Sequence, residues 1–284
     1  MSLDRHMHEA NRMSWNAATR QHNSHKGDQA AFLRGGGTTL FPEEVELLGD
    51  VGGKTLLHLQ CNAGQDTLSI AAHLGAQVTG VDISDEAISF ARKLAADSGI
   101  PGTFVRADIY DWFEQNTTTY DVVFASYGAI PWLSDLSAWG RGIAAALKPG
   151  GRFVLVEFHP FLNIYEDDFN PNYDYSGGKP VFFEDGIGDY VAQSGGALTH
   201  TGQKIEDAPH FTNPHPVYEF CWGVSDIVGA LLAADLRLTA LREYPYSNGF
   251  KPFADMRELP GRRMTLPEGK PNIPFMLGVA AVKP

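Results

Sequence analysis

A doubly wound α/β fold, with a mostly parallel sheet covered by helices on both faces, is what this 284-residue sequence predicts. Three observations predict it. From Gly53 onward, short β-rich runs alternate with segments of helical period. Residues 57–66 (LHLQCNAGQD) carry a strand through a tight turn directly into a helix. Residues 275–282 form an apolar run with no helix before it, which suits an antiparallel strand at or near the sheet edge. Strands joined by helices of this length lie parallel, with right-handed crossovers.

In order along the chain, residues 54–59 (KTLLHL) form an apolar strand, and a helix over about 66–74 is stopped by Gly75. Residues 77–81 (QVTGV) are the next strand. Ser84 is a good N-cap for the following helix, and Asp85 and Glu86 complement its positive end. Ile88, Ala91, Leu94 and Ala95 give that helix a buried stripe at helical spacing before Gly99 and Pro101 end it. Residues 103–106 read as a third strand and 120–125 (YDVVFA) as a fourth, apolar enough for burial on both faces. A helix over about 136–147 stops at Lys148-Pro149-Gly150-Gly151, ahead of a fifth strand at 152–158 (RFVLVEF). A helix near 225–234 and a strand at 236–244 resume the alternation before the final run.

Three stretches fall outside this pattern. Residues 1–40 are polar, with His6, His8, His22 and His25 and a Gly35-Gly36-Gly37 hinge, and read as an N-terminal arm. Residues 159–223 hold 12 aromatic residues and ten acids against two lysines, which argues for a packed lid because linkers are poor in aromatics. Residues 245–274 contain six prolines and five basic residues. The expected division is therefore an arm at 1–40, a core at 41–158 and 224–284, and a lid insertion at 159–223.

Composition excludes several classes. With 34 Asp and Glu against 22 Lys and Arg, the chain lacks the basic stripe that replaces counterions on nucleic acid. The longest useful apolar run, eight residues at 275–282, is far short of the ~20 that cross a bilayer. The first ten residues carry Asp4, Arg5, two histidines and Glu9, which is not a signal-peptide pattern, and two cysteines offer no disulfide framework. A cytoplasmic globular protein acting on a small molecule is expected, with no membrane or nucleic-acid partner.

The turn after the first strand places backbone amides and a helix N-terminus beside a ligand. Its single glycine, Gly64, leaves Cys61, Asn62 and Ala63 where a G-x-G-x-x-G would admit a pyrophosphate, so a dinucleotide is disfavoured. Asp82, 18 residues after Gly64 at the end of the second strand, suits the two hydroxyls of a ribose. Asp108, just beyond the third strand, suits an adenine amino group. Together these describe a pocket for an adenosine without phosphate, for which S-adenosylmethionine is the commonest ligand.

The segment from about 51 to 160 resembles the class I S-adenosylmethionine-dependent methyltransferases. LLHLQCNAGQDTLSIA looks like their first motif, and GVDIS, RADIY, DVVFASYG and LKPGGRFVLVEFHP match later motifs in order and spacing. Weaker similarity extends to Ser14-Trp15-Asn16 and Tyr218-Glu219-Phe220. The resemblance implies a Rossmann-like sheet of seven strands with the last antiparallel, and an N-terminal helix over the cofactor, where Trp15 and His22 are candidates. It implies Gln60, Asn62 and Gly64 along the methionine moiety, Asp82 and Ile83 at the ribose, Asp108 and Ile109 at the adenine, and Ser126 below the sulfonium. The first motif departs from the family, which has an acid and several glycines where this chain has Gln60, Cys61, Asn62 and Ala63.

The expected reaction is methyl transfer to an O- or N-nucleophile of a small molecule. Tyr127, Trp132 and Tyr218 are candidates for the acceptor wall. His159, after the fifth strand, and His215, between two prolines, are candidate bases, with Glu219 behind them. His200, His210 and His215 lack the cysteine or acid spacing of a metal site, so no metal is expected. Arg262-Arg263 suits either an anionic acceptor or plain solvation. A nicotinamide-dependent oxidoreductase and a non-catalytic S-adenosylmethionine-binding protein are the alternative readings.

Overall fold

The computed structural model describes residues 4–165, 170–199, 202–206, 208, 210–253 and 255–284. The N-terminal stretch forms helices α1 (Arg5–Ser24), α2 (Gln29–Arg34) and α3 (Pro42–Leu48). Strand β1 (Thr55–Leu59) leads into α4 (Gln65–Ser69), which widens into a π turn over Ile70–Leu74. Then come β2 (Gln77–Asp82), α5 (Asp85–Ser98), β3 (Thr103–Arg106), α6 (Ile109–Gln115) and β4 (Tyr120–Ser126). Helix α7 (Leu136–Ala146) precedes β5 (Leu147–Phe158), which starts earlier than the sequence suggests because Lys148 to Gly151 bulge within the strand instead of preceding it.

The insertion contributes β6 (Lys179–Phe183), α8 (Tyr190–Gln193) and β7 (Val217–Cys221), with β6 and β7 paired antiparallel. Helix α9 (Val224–Ala233) and β8 (Arg237–Tyr244) follow. The proline-rich stretch is a small antiparallel sheet of β9 (Ser247–Asn248), β10 (Arg257–Leu259) and β11 (Arg263–Thr265). Strand β12 (Met276–Val282) ends the fold.

The main sheet has seven strands in the order β3-β2-β1-β4-β5-β12-β8. Strands β1 to β5 are parallel to one another, and β12 runs antiparallel between β5 and β8. The predicted antiparallel strand is thus second from the edge. Alternation along each strand divides the core in two. Leu57, Leu59, Val123, Phe153 and Val279 face α6, α7 and α9, whereas Leu56, Val122, Phe124 and Val154 face α3 and the turn after α4.

Helix ends follow local chemistry. Ser84 and Asp135 accept the Ala87 and Ala138 amides to cap α5 and α7. Gly64 closes the turn before α4 at φ +78°, and a Cβ there would lie 2.8 Å from both Ala91 and Phe104. Gly64→Ala is therefore expected to cost about 2 kcal/mol, from the left-handed backbone and the overpacking together, read as a lower urea midpoint at unchanged slope.

Helix α1 buries His8, Asn11, Ser14, Ala18 and His22 along one side, and it packs against α5, β7 and α8. Among the described residues no helix is long and apolar enough to cross a membrane.

Candidate cofactor and acceptor site

A cavity of about 450 Å³ opens at the carboxyl ends of β1 to β5. Each strand end contributes. Beyond β1, Gln60 and Asn62 hold left-handed backbones at φ 53° and 48° without the glycines usual in such turns. Such conformations cost of order 1 kcal/mol or more each and persist only where contacts impose them. Here the Gln60 side-chain amide donates to the Ala129 carbonyl at 2.8 Å, and the Asn62 carboxamide oxygen accepts the Ala63 amide at 2.6 Å.

Asp82 ends β2, and its carboxylate accepts the Asn62 and Ser84 amides, each at 2.8 Å. Burial pushes its pKa up to about 6, against those amide bonds. Asp108 both caps α6 through the Tyr110 amide, at 2.9 Å, and lines the cavity. Burial opposes its charge, but the His8 imidazole at 2.7 Å, the Tyr110 amide and Arg5 outweigh it, and its pKa falls below the usual value. The other His8 nitrogen lies 2.7 Å from the Ser134 hydroxyl, so α1 is tied to the ends of β3 and β4.

Beyond β4, Ser126 lies 3.3 Å from His58, which β1 presents between Thr67 and Phe124. Burial pulls the His58 pKa down to about 4, so it is neutral at pH 7. The loop after β4 hangs on one side chain. Glu157, 2% exposed, accepts the amides of Gly128, Ala129 at 2.7 Å, Ile130 at 3.0 Å and Phe158 at 2.7 Å. That loop presents Tyr127 and Trp132. Trp15 from α1 meets Trp132 edge to face at 5.4 Å, with Tyr190 of α8 beyond it.

Of the residues singled out in the sequence, Trp15, Gln60, Asn62, Asp82, Ile83, Asp108, Ile109, Ser126, Tyr127 and Trp132 line this one cavity. Five others do not. Gly64 sits behind the turn, where its lack of a side chain serves packing. His22 is buried behind Tyr190, its ring 4.1 Å away, with Nε2 donating to the Gly188 carbonyl at 2.9 Å. Tyr218 turns outward against Phe182 and His6, while its backbone pairs with Asn11.

Neither candidate base reaches the cavity. His159 is buried, with Nδ1 accepting the Phe161 amide at 3.2 Å and Nε2 donating to Glu243 at 3.0 Å. Burial lowers its pKa despite Glu243, and its role is to cap the turn after β5. His215 is held through its backbone by Asn213. His200 lies outside the described residues, and no metal-holding group of His, Cys, Asp and Glu occurs among the described ones.

The sequence reading passed over His8, Lys26, Asp66, Glu157 and Asn248, all on the cavity wall. It left Glu219 behind the two histidines, although Glu219 lines the cavity and burial pushes its pKa up to about 7. One of the five carried a signal: Glu157, like His58, is a polar residue inside an otherwise apolar strand run. Lys26 and Asn248 carried none, because their neighbours in space are distant in sequence.

Comparison with known proteins agrees with this geometry. Residues 56–151 match the methyltransferase domain family. The Ubiquinone biosynthesis O-methyltransferase of Vibrio parahaemolyticus is 35% identical over 113 residues, covering 40% of this chain and 47% of that protein. An S-adenosyl-L-methionine-dependent Diels-Alderase of Talaromyces variabilis is 33% identical over 123 residues, 42% of this chain and 41% of its own. The chain thus spans about half the length of the curated relatives it matches. In fold it is similar to an S-adenosylmethionine-dependent methyltransferase of Mesorhizobium loti, at a TM-score of 0.51 and 18% identity over 85% of this chain and 96% of that one. The strand order, the ligand edge and the matched segment agree: residues 56–151 match a methyltransferase domain, and the chain shares the fold of that solved methyltransferase.

Proposed function

We propose that the protein transfers the methyl group of S-adenosylmethionine to an O- or N-nucleophile of a small molecule, releasing S-adenosylhomocysteine. The observation that carries this is one continuous cavity joining Asp82, Asp108 and Gln60 at the strand ends to an aromatic compartment at Tyr127 and Trp132. The sulfonium supplies an already activated methyl group, so the protein's part is to orient and to exclude water.

The residues fit such a cofactor. Gln60 keeps a buried side-chain oxygen with no partner, which an ammonium donor would satisfy. Lys26 lines the cavity within electrostatic reach of Asp66 in the first turn of α4, and suits a carboxylate. Asp82 accepts from ribose hydroxyls, and Asp108, fixed by His8, faces the adenine. Trp15, Trp132 and Tyr190 close the compartment against water. Where the acceptor enters protonated, Glu219 takes the proton, since it lines the cavity and titrates near neutrality.

Calorimetric titration with S-adenosylhomocysteine, with NADH as control, tests the reading. Binding of the former alone is expected, and incubation with S-adenosylmethionine and an acceptor panel then yields S-adenosylhomocysteine. A folded sample that prefers NADH, or binds neither, overturns it. Cofactor binding without turnover on any acceptor supports a binding protein instead.

A further inference from the structure

Two cations, Lys26 and Arg262, line the cavity without an ion pair among the described residues, and Arg262 has no task in the cofactor reading. Residues Arg262 and Arg263 leave the turn between β10 and β11 in different directions. Arg263 pairs with the buried carboxylate of Glu43 and covers the Tyr246 ring at 4.7 Å. Arg262 holds a left-handed backbone at φ 62°, which L side chains rarely adopt, and swings over the Phe41 ring at 4.5 Å. Among the described residues its polar partners are two long contacts, to the Ala197 carbonyl at 3.3 Å and the Thr39 carbonyl at 3.5 Å. A planar guanidinium stacked on one ring keeps its donor edge for a planar anion.

The charges around it do not neutralise it. Asp66 is the carboxylate that faces both Lys26 and Arg262, and it already accepts the Thr39 hydroxyl at 2.5 Å. Glu44, fully buried beside Phe41 and Tyr127, has its pKa raised well above the usual carboxylate value by burial and by Asp66. With Lys26 given to the cofactor carboxylate, Arg262 remains without an ion pair among the described residues, its free donor edge on the cavity wall, and an acceptor anion there would balance it. Desolvation of the Arg262 guanidinium makes that balance matter more than it would in water. The wall beside it is aromatic: Phe41, Tyr127, Phe158 and Phe250, with Phe158 and Phe250 only 4.6 Å apart.

We propose that the acceptor is an aromatic carboxylate, its carboxylate seated on Arg262 and its ring along Tyr127, Phe158 and Phe250. This rests on the methyltransferase reading and names the substrate class of the same site. Lys26 serves the cofactor and Arg262 the acceptor, so each cation governs a different ligand.

The test uses the full chain loaded with S-adenosylhomocysteine and titrated with 3,4-dihydroxybenzoate and with catechol, which differ by the carboxylate. The wild type should bind the carboxylate at least tenfold more tightly. Arg262→Gln should lose that preference, Arg262→Lys should keep part of it, and both should bind S-adenosylhomocysteine as the wild type does, which also shows that they fold. Lys26→Gln should weaken S-adenosylhomocysteine about tenfold and leave the carboxylate preference in place. Equal or tighter binding of catechol, no binding of the carboxylate to the loaded protein, or a preference that survives in Arg262→Gln overturns the proposal. Failure of the wild type to bind S-adenosylhomocysteine instead overturns the reading it rests on.

Discussion

Glu157→Ala is expected to lower the free energy of unfolding by about 4 kcal/mol, a large effect for one side chain outside the apolar core. The Glu157 carboxylate accepts four backbone amides, from Gly128, Ala129, Ile130 and Phe158, in a site 2% exposed. Truncation leaves those donors buried and unpaired, at roughly 1–3 kcal/mol each before water enters the gap. Water relieves part of this, hence a total nearer 4 kcal/mol than the sum of the extremes. Urea denaturation should show a lower midpoint at constant slope, and melting should fall by about 10 °C. Glu157→Gln should recover only part of the loss, because its NH₂ group faces amide donors. Since the same carboxylate holds the loop bearing Tyr127 and Trp132, acceptor binding should weaken with stability. A change below about 1 kcal/mol would mean that the loop is held by its neighbours instead.

Affinity for S-adenosylhomocysteine should fall as pH drops through about 6, and Asp82→Asn should remove that step. In the proposed reading Asp82 faces the ribose, and burial lifts its pKa to about 6. Above that value the carboxylate accepts from the ribose hydroxyls; below it the protonated form has lost that capacity. Binding should weaken roughly tenfold per pH unit below 6. In the unliganded protein the sign is opposite. A folded pKa above the unfolded 3.8 contributes stability that is full below 3.8 and lost as pH rises through 6, about 3 kcal/mol in all. The charge is therefore held at a cost in stability that ligand contacts offset. At pH 7, Asp82→Asn should bind about a hundredfold more weakly, the equivalent of roughly 2.7 kcal/mol. Calorimetry between pH 5 and 8 checks both statements; a wild-type affinity flat across that range would remove Asp82 from the ribose site.

The sheet was legible because its elements obey local rules. Apolar runs of strand length alternate with helices that carry their own stops and caps, and Ser84, Gly75 and Gly99 sit at the ends they announce. Strands so joined place their carboxyl ends on one edge, so Asp82 and Asp108 were locatable without coordinates, while Gln60, Asn62 and Ser126 came from the family resemblance. Helix α1 was legible only through the family resemblance and not from its own pattern. Its inner face consists of His8, Asn11, Ser14 and His22, which bond to Asp108, Tyr218, Ile187 and Gly188 far along the chain. Apolar periodicity is silent where a helix is buried by hydrogen bonding.

The same reason separates what the sequence determined from what it could not. Local patterning determined the fold class, the ligand edge and the two carboxylates on it, because each depends on neighbours within one strand–turn–helix unit. Tertiary packing decided which ionisable groups face the cavity. His159 and Glu157 lie two residues apart, yet one caps a turn away from the cavity and the other holds its loop in place. Arg262 and Arg263 are adjacent, yet only the second meets Glu43, 220 positions away. Charge balance in a cavity is set by groups that meet only when the chain is folded, so no window of sequence contains it.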